Sequence, residues 1–182
     1  MACEQALLDA ALRKFRSQKA MVESAIVQVS DDGLRRSLDE HTNSIAVTMK
    51  HMAGNMLSRW TDLLTSDGEK PDRDRDQEFV DDFPDREALL AYWEKGWSCV
   101  FEAMGALRPS DVDHHVLIRG YRMTLVDAII RQIEHYGYHT GQIVQLARHF
   151  AEGEWKTLTI ARGDSEQYNR DNWGPDGPSA ES

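Results

Sequence analysis

The chain has little cysteine, few basic residues and no long apolar run. Two cysteines among 182 residues do not make a disulfide framework. The 21 lysine and arginine residues stand against 31 aspartate and glutamate residues, and the net charge of -10 argues against nucleic acid as a partner. The sequence has no membrane span, and its N-terminus, MACEQALLDAALRKF, lacks the apolar block of a signal peptide. We therefore expect a cytoplasmic protein that binds no membrane and whose partners are small molecules and a second copy of the chain.

Glycine is not concentrated in any one segment. The 12 glycines are scattered, so the chain has no glycine-rich phosphate loop. Hydrophobic residues make up 41% and charged residues 29%, which is typical of a soluble globular protein, and the length fits one domain with a single core. We assign this domain to residues 1–165 and expect residues 166–182, which end in GPDGPSAES, to form a flexible tail.

Apolar residues recur at helical spacing in four long stretches. These predicted helices cover residues 4–29, 38–64, 85–108 and 123–151. A turn at residues 30–33 joins the first two, since Asp and Gly end helices and tolerate unusual dihedral angles. Residues 65–84 lack the pattern and form a long crossover loop, whose alternating Asp and Arg residues we interpret as charge-neutralised packing along a surface. Residues 111–121 are less periodic, and their apolar side chains predict a short extended piece.

Four long amphipathic helices without convincing strands predict an all-α fold, a four-helix bundle. The short first turn makes the first two helices antiparallel neighbours. The long crossover loop between the second and third helices can span the length of the bundle, which allows those two helices to run parallel.

The fourth helix carries two histidines at a spacing that suits metal binding. His135 and His139 are four residues apart, so both imidazoles project from one side of the helix, and a third ligand must come from elsewhere. The second helix has a histidine, His51, on the corresponding flank of its apolar stripe. A histidine there can complete a three-imidazole site, with Asn55 or Gln132 as hydrogen-bond partners of the ligands.

The residues exclude two other kinds of metal site. A di-iron carboxylate bundle needs Glu-x-x-His on facing helices, and no glutamate here is followed by histidine three positions later. A zincin needs glutamate directly after the first histidine of the pair, where this chain has Tyr136. Spacing alone leaves two interpretations open, a metal site and histidines that merely pack.

The histidine pattern resembles the DinB-like superfamily of metal-binding four-helix bundles. One histidine lies in MKHMAGNMLSRW on the second helix, and the pair lies in EHYGYHTGQI on the last long helix. The blocks HMAGNMLSRWTDLLTSDGEK, RDRDQEF and HYGYHTGQIVQLARHF are most similar to one subfamily of unassigned function. The resemblance runs from the first helix to the RGDS segment, and it implies an up-down-down-up bundle, in agreement with the connection lengths.

The resemblance also implies a site and a chemistry. One divalent ion, nickel, zinc or iron, is held by His51, His135 and His139, with water in the open positions. Several relatives look like thiol S-transferases or isomerases that use a low-molecular-weight thiol. A cation on neutral imidazoles suits such chemistry, because it keeps its charge and lowers the pKa of a thiol or water. The alternative is a non-catalytic bundle that binds a metal or a small ligand as a stress-response or interaction module, and the absence of a recognisable acid-base pair supports it.

The relatives further imply a homodimer. Trp93, Trp97 and Trp155 supply large apolar side chains that two subunits can share, although the core of a monomer would use them equally well.

Overall fold

The computed structural model describes residues 2–174 of the chain and is mostly helical. The helices are α1 (Ala2–Ile26), α2 (Asp31–Arg35), α3 (Ile45–Trp60), α4 (Arg86–Ala106), α5 (Leu125–Phe150) and α6 (Ser165–Asn172). Strands β1 (His115–Ile118) and β2 (Tyr121–Thr124) form one hairpin, and Gln77–Phe79 and Pro109–Asp111 are 3₁₀ turns. The predicted all-α class is confirmed, apart from this hairpin.

Three of the long helices begin at a side-chain cap. The side chains of Ser44, Asp85 and Thr124 each accept a hydrogen bond from the backbone N–H three residues ahead, at 3.2, 2.8 and 3.0 Å. The predicted start of the third helix near Asp85 is therefore confirmed. The predicted start of the second helix at residue 38 is wrong, because Asp39 accepts a hydrogen bond from the backbone N–H of His41 at 2.9 Å and so forms a turn there instead.

The connection between the first two long helices is also more structured than predicted. The sequence predicts a turn at residues 30–33, but in the structure Ser30 caps the short helix α2 by accepting a hydrogen bond from the backbone N–H of Gly33 at 3.3 Å. A Cβ at Gly33 would lie 2.5 Å from Val29 Cγ1, so only glycine fits this position without a shift. The first helix ends at Ile26, three residues earlier than predicted.

An aromatic cluster joins the four long helices at the centre of the core. Phe15 of α1 lies with its ring centroid 5.3 Å from that of Trp60 on α3 and 5.8 Å from that of Tyr136 on α5. Trp97 of α4 lies 5.7 Å from Tyr136 and 5.6 Å from Trp93. Trp93 and Trp97 are fully buried within the single chain. These two tryptophans therefore belong to the core of one subunit and are not exposed to a second one.

Helix α3 is buried on every side, which its predicted apolar stripe did not show. Every residue of α3 except Leu57 is buried. It packs on α4 and α5, and the 3₁₀ turn of the crossover loop covers a third side. Polar side chains of α3, including Lys50, His51 and Arg59, are therefore buried as well and need partners inside the protein.

The hairpin forms in the segment where a short extended piece was predicted. Its turn is made by Arg119 and Gly120 with φ of 56° and 74°, the left-handed conformations that a tight two-residue hairpin turn requires. The carboxylate of Asp67 accepts hydrogen bonds from the backbone N–H groups of Arg119 at 2.8 Å, Gly120 at 2.7 Å and Glu69 at 2.7 Å. Asp67 thus attaches the crossover loop to the hairpin.

We expect Asp67→Asn to lower the free energy of unfolding by about 1–3 kcal/mol, since it replaces a charged acceptor of three backbone N–H groups by a neutral amide. These hydrogen bonds lower the pKa of Asp67, foremost the one from Glu69. The stabilisation is therefore present above the ordinary aspartate pKa of about 3.9 and is lost as the pH falls through the lower folded-state value. Urea unfolding at neutral and acidic pH measures both effects. The exposed Asp72→Asn is the control, and an equal loss in both variants would contradict the assignment.

The predicted tail begins within α6. Residues Ser165–Asn172 form this helix, and none of them is buried. Residues 175–182 lie outside the described part of the chain, so the predicted flexibility of the tail stays a prediction. Within residues 2–174, no helix is both long enough and apolar enough to cross a membrane.

Candidate metal centre

The structure brings His51 of α3 together with His135 and His139 of α5. The ring centroids of His135 and His139 are 4.7 Å apart, and the centroid of His51 lies 5.4 and 5.0 Å from these two. One nitrogen from each ring can be chosen so that all three lie within 4.8 Å of one another. His51 is 5% exposed, while the other two are half-buried, so the cluster has a buried side and a side that solvent reaches. The three residues could hold one metal ion.

The orientation of the rings suits a shared ion. His135 Nε2 and His139 Nε2 face each other at 3.2 Å. Two nitrogens bound to one zinc ion at tetrahedral angles are about 3.3–3.4 Å apart, given zinc–nitrogen bonds of about 2.0–2.1 Å. His139 Nδ1 lies 2.8 Å from Gln142 Oε1, and His51 Nδ1 lies 2.9 Å from Glu78 Oε2. Both acceptors are oxygens, so each Nδ1 donates, and in a neutral ring the Nε2 atom then has the lone pair that a metal needs.

Burial also favours the neutral form of the imidazoles of His135 and His139. Burial, and then the neighbouring charges of His139 and His51, lower the pKa of His135 to about 3. Burial also lowers the pKa of His139. Metal ligation requires neutral imidazole, so protons compete weakly for His135 and His139 near neutral pH.

The sequence pattern did not predict the contact between Glu78, in the crossover loop, and His51. Arg73 Nε donates to Glu78 Oε1 at 2.7 Å, and Arg73 Nη2 donates to Glu78 Oε2 at 2.8 Å. Burial favours a higher pKa for Glu78, but hydrogen bonds from His51 and Arg73 outweigh it and lower the pKa. Both side chains are about 5% exposed. The interpretation of the loop as surface packing is therefore wrong for Arg73, although the neighbouring Asp72 and Asp74 are exposed.

The sequence offers one signal for the contact between Glu78 and His51, namely the aromatic residue Phe79 within the charged crossover loop. Phe79 directly follows Glu78 and stacks on the His51 ring, with centroids 4.7 Å apart and planes inclined by 24°. Gly54, three residues after His51, makes room for the glutamate, because a Cβ there would lie 2.5 Å from Glu78 Oε1. A large side chain at position 54 is thus incompatible with this arrangement.

A family assignment follows from comparison with known proteins. The model of a family described as "Protein of unknown function (DUF1572)" matches residues 2–164. The chain belongs to this family. The match includes all three histidines and Glu78, whereas no curated protein and no solved structure matches the chain. The family description names no superfamily, so the resemblance to DinB-like proteins stays a prediction.

In this DUF1572 protein, Asn55 and Gln132 do not form the hydrogen bonds to the histidines that the sequence pattern predicts. Asn55 Oδ1 accepts a hydrogen bond from the Tyr136 hydroxyl at 3.3 Å, and so serves the aromatic core. Gln132 Oε1 is buried with no hydrogen-bond partner in the described part of the chain. The histidine nitrogens are bonded by Glu78 and Gln142 instead. The sequence pattern identified the side of each helix on which the histidines lie. It did not identify their hydrogen-bond partners, because His51 is bonded by Glu78 of the crossover loop and this contact depends on how the loop packs.

A cleft of about 600 Å³ lies between α3, α4 and the crossover loop. Glu78 lines it, but within residues 2–174 none of the three clustered histidines does. Three cations that line the cleft, Lys50, Lys70 and Arg73, already have partners in the protein. Lys50 Nζ donates to Asp82 Oδ1 at 2.6 Å and to the carbonyl oxygen of Val80 at 2.8 Å. Lys70 Nζ donates to the hydroxyl of Ser66 at 2.8 Å. The cleft of this DUF1572 protein therefore adjoins the candidate metal centre through Glu78, which bonds His51, while the histidines themselves do not line it.

Proposed function

We propose that the chain binds one divalent metal ion through Nε2 of His51, His135 and His139. The observation that carries the proposal is the convergence of the three imidazoles, since one nitrogen of each lies within 4.8 Å of the others. Within this set, His135 Nε2 and His139 Nε2 are 3.2 Å apart, close to the separation of two nitrogens bound to one zinc ion. The contact of His139 Nδ1 with Gln142 Oε1 leaves Nε2 of a neutral ring with the lone pair that an ion needs.

Packing alone also accounts for the short contact. Without an ion, His135 donates from Nε2 to His139 Nε2, and its Nδ1 is then an acceptor that is buried with no partner among residues 2–174. With an ion on Nε2, the same Nδ1 carries the proton and is an unpartnered donor, so either state leaves one buried group unsatisfied, at a cost of about 1–3 kcal/mol. The metal interpretation is favoured by the third imidazole, since His51 joins the pair within 4.8 Å.

Three imidazoles suit zinc, nickel or iron, so the donor set defines a class of ions and not one metal. With three protein ligands, a four-coordinate ion keeps one position for water or substrate. His135 and His139 are only half-buried, which gives that position a route to solvent.

The finer proposal is a metal-dependent thiol S-transferase or isomerase whose partner is a small molecule or a low-molecular-weight thiol. When bound, a divalent cation acts as a Lewis acid that lowers the pKa of a thiol or water. The residues of this chain support that role by supplying neutral ligands, which leave the charge of the cation intact. The half-exposed side of the cluster admits a small substrate.

One observation favours a second candidate, a non-catalytic bundle that binds a metal or small ligand. Glu78 is the carboxylate that contacts the cluster, and it is already engaged by Arg73 and His51. It cannot also serve as a general base for a substrate. Thermal-shift screening against thiols, followed by turnover assays on electrophiles, separates the two candidates, since binding without turnover supports the second.

We further propose that α1, α3, α4 and α5 form an up-down-down-up four-helix bundle within one domain, residues 1–165. The aromatic cluster that all four helices share supports this arrangement. A cytoplasmic homodimer remains the expectation from the resemblance, and light scattering tests the dimer.

Anaerobic metal analysis tests the central proposal. We expect about one ion per chain in the wild type and almost none in His135→Ala, because two imidazoles alone make an incomplete site. His149→Ala is the matched control, since His149 lies on the same helix, is exposed and is not in the cluster. A wild-type protein purified without chelator that contains no metal would refute the proposal.

A further inference from the structure

We infer that Glu78 is a positioning residue for the metal centre, which holds His51 with its proton on Nδ1 and its Nε2 directed at the ion. The inference rests on the proposed function for its purpose, but the hydrogen bond itself is a property of the folded chain. Nothing in the histidine motif points to this residue, which lies in the crossover loop and not on the helices that carry the ligands.

The chemistry of the contact selects the tautomer. Arg73 donates to both oxygens of Glu78, at 2.7 and 2.8 Å, so the carboxylate acts as an acceptor and is fixed in orientation. The 2.9 Å contact between Glu78 Oε2 and His51 Nδ1 therefore places a proton on Nδ1 of the imidazole. In the neutral ring, the remaining nitrogen, Nε2, carries the lone pair that a metal needs. Outer hydrogen bonds of this kind also raise the basicity of a ligating histidine.

A chain of alternating charges holds Glu78 in place. Glu69 Oε2 accepts from Arg59 Nη2 of α3 at 2.8 Å, from Arg119 Nε of the hairpin turn at 3.1 Å and from Arg73 Nη1 at 3.2 Å. Arg73 in turn binds Glu78. The loop is thereby attached to both α3 and the hairpin, and the glutamate is presented to His51 from a rigid support.

The ring of His51 is also restrained sterically. Phe79 stacks on one face at a centroid distance of 4.7 Å, and Arg75 lies over the Phe79 ring at 5.0 Å. The absence of a side chain at Gly54 gives the Glu78 carboxylate the space it occupies. Together these contacts determine the direction of His51 Nε2 before any ion binds.

A purely structural role for Glu78 makes a different prediction. If the residue served only to neutralise Arg73, then Glu69, which also binds Arg73, would be equivalent to it. Glu69 has no contact with a histidine among the described residues. Glu69→Gln is therefore a matched control that disturbs the same charge chain without touching the His51 hydrogen bond.

Two measurements on Glu78→Gln, Glu78→Ala and Glu69→Gln test the inference. The first is the zinc dissociation constant, obtained by competition with a chromophoric chelator. The second is the nitrogen chemical shift of the His51 ring in the metal-free protein, which reports the tautomer. We expect Glu78→Ala to weaken zinc binding about 10–100-fold and to lose the pure Nδ1–H tautomer, with Glu78→Gln intermediate because its amide oxygen still accepts. Glu69→Gln should keep the Nδ1–H tautomer and lower the zinc affinity less than Glu78→Ala does, because Glu69 acts on Glu78 only through Arg73.

Two results would overturn the inference. One is an equal loss of zinc affinity in Glu69→Gln and Glu78→Ala, and the other is a wild-type His51 ring protonated on Nε2 in the metal-free protein. A wild type that binds no zinc would instead refute the proposed function, while the tautomer of the metal-free protein would still decide the role of Glu78. If Glu78→Ala does not fold, the nearly isosteric Glu78→Gln carries the same test.

Discussion

Adding zinc at about 1,000 times its dissociation constant is expected to raise the free energy of unfolding by about 4 kcal/mol. The reason is that only the folded chain brings histidines from α3 and α5 within 4.8 Å of one another. An ion that binds the folded state and not the unfolded chain stabilises the folded state by mass action. Urea unfolding followed by circular dichroism, with zinc and with chelator, measures the difference.

Two variants make this prediction specific. His139→Ala should abolish the stabilisation by zinc, because it removes one of the facing Nε2 atoms. His149→Ala, an exposed position ten residues further along the same helix, should keep the full effect. Equal stabilisation of His139→Ala and the wild type would show that zinc acts elsewhere on the protein.

Trp97→Ala is expected to lower the free energy of unfolding by about 3–5 kcal/mol. Trp97 is fully buried, and its ring lies against Tyr136 at 5.7 Å and stacks on Phe101 at 5.5 Å. Removing it takes away the α4 member of the aromatic cluster that joins the long helices. The loss includes both the transfer free energy of the indole and the cavity that remains.

The control for this effect is Trp173→Ala. Trp173 is 54% exposed at the end of α6, so its removal should change the free energy of unfolding by no more than about 0.5 kcal/mol. Chemical denaturation of the three proteins in the presence of chelator keeps metal binding out of the comparison. Similar losses in both variants would contradict the position of Trp97 at the centre of the core.

The local features of the chain followed from the sequence. Apolar periodicity predicted the long helices, and Asp85 marked the start of α4, because a cap is a contact between residues three positions apart. The spacing of His135 and His139 placed both on one side of α5 for the same reason. In each case the interacting groups are neighbours along the helix, so the geometry of the helix determines their contact.

Features that depend on distant segments were predicted less well. The sequence pattern identified a flank of α3 but named Asn55 and Gln132 as partners of the ligands, whereas Asn55 bonds Tyr136. The hairpin strands are only four residues each, too short for a clear alternating pattern. The burial of every residue of α3 except Leu57 was not predicted, since the crossover loop supplies one of the surfaces that cover this helix.

The sequence by itself determined the helical class and the two histidines on one side of α5, because both depend on contacts within a turn or two of helix. Only the tertiary structure decided that His51 lies beside that pair. It also decided that Glu78 and Arg73 are buried against α3, where Glu78 bonds the His51 ring and Arg73 bonds Glu78. The physical reason is that a charged loop residue has no periodicity to indicate its direction. Its position depends on the fit of the loop against α3, where Gly54 leaves the space that the glutamate fills.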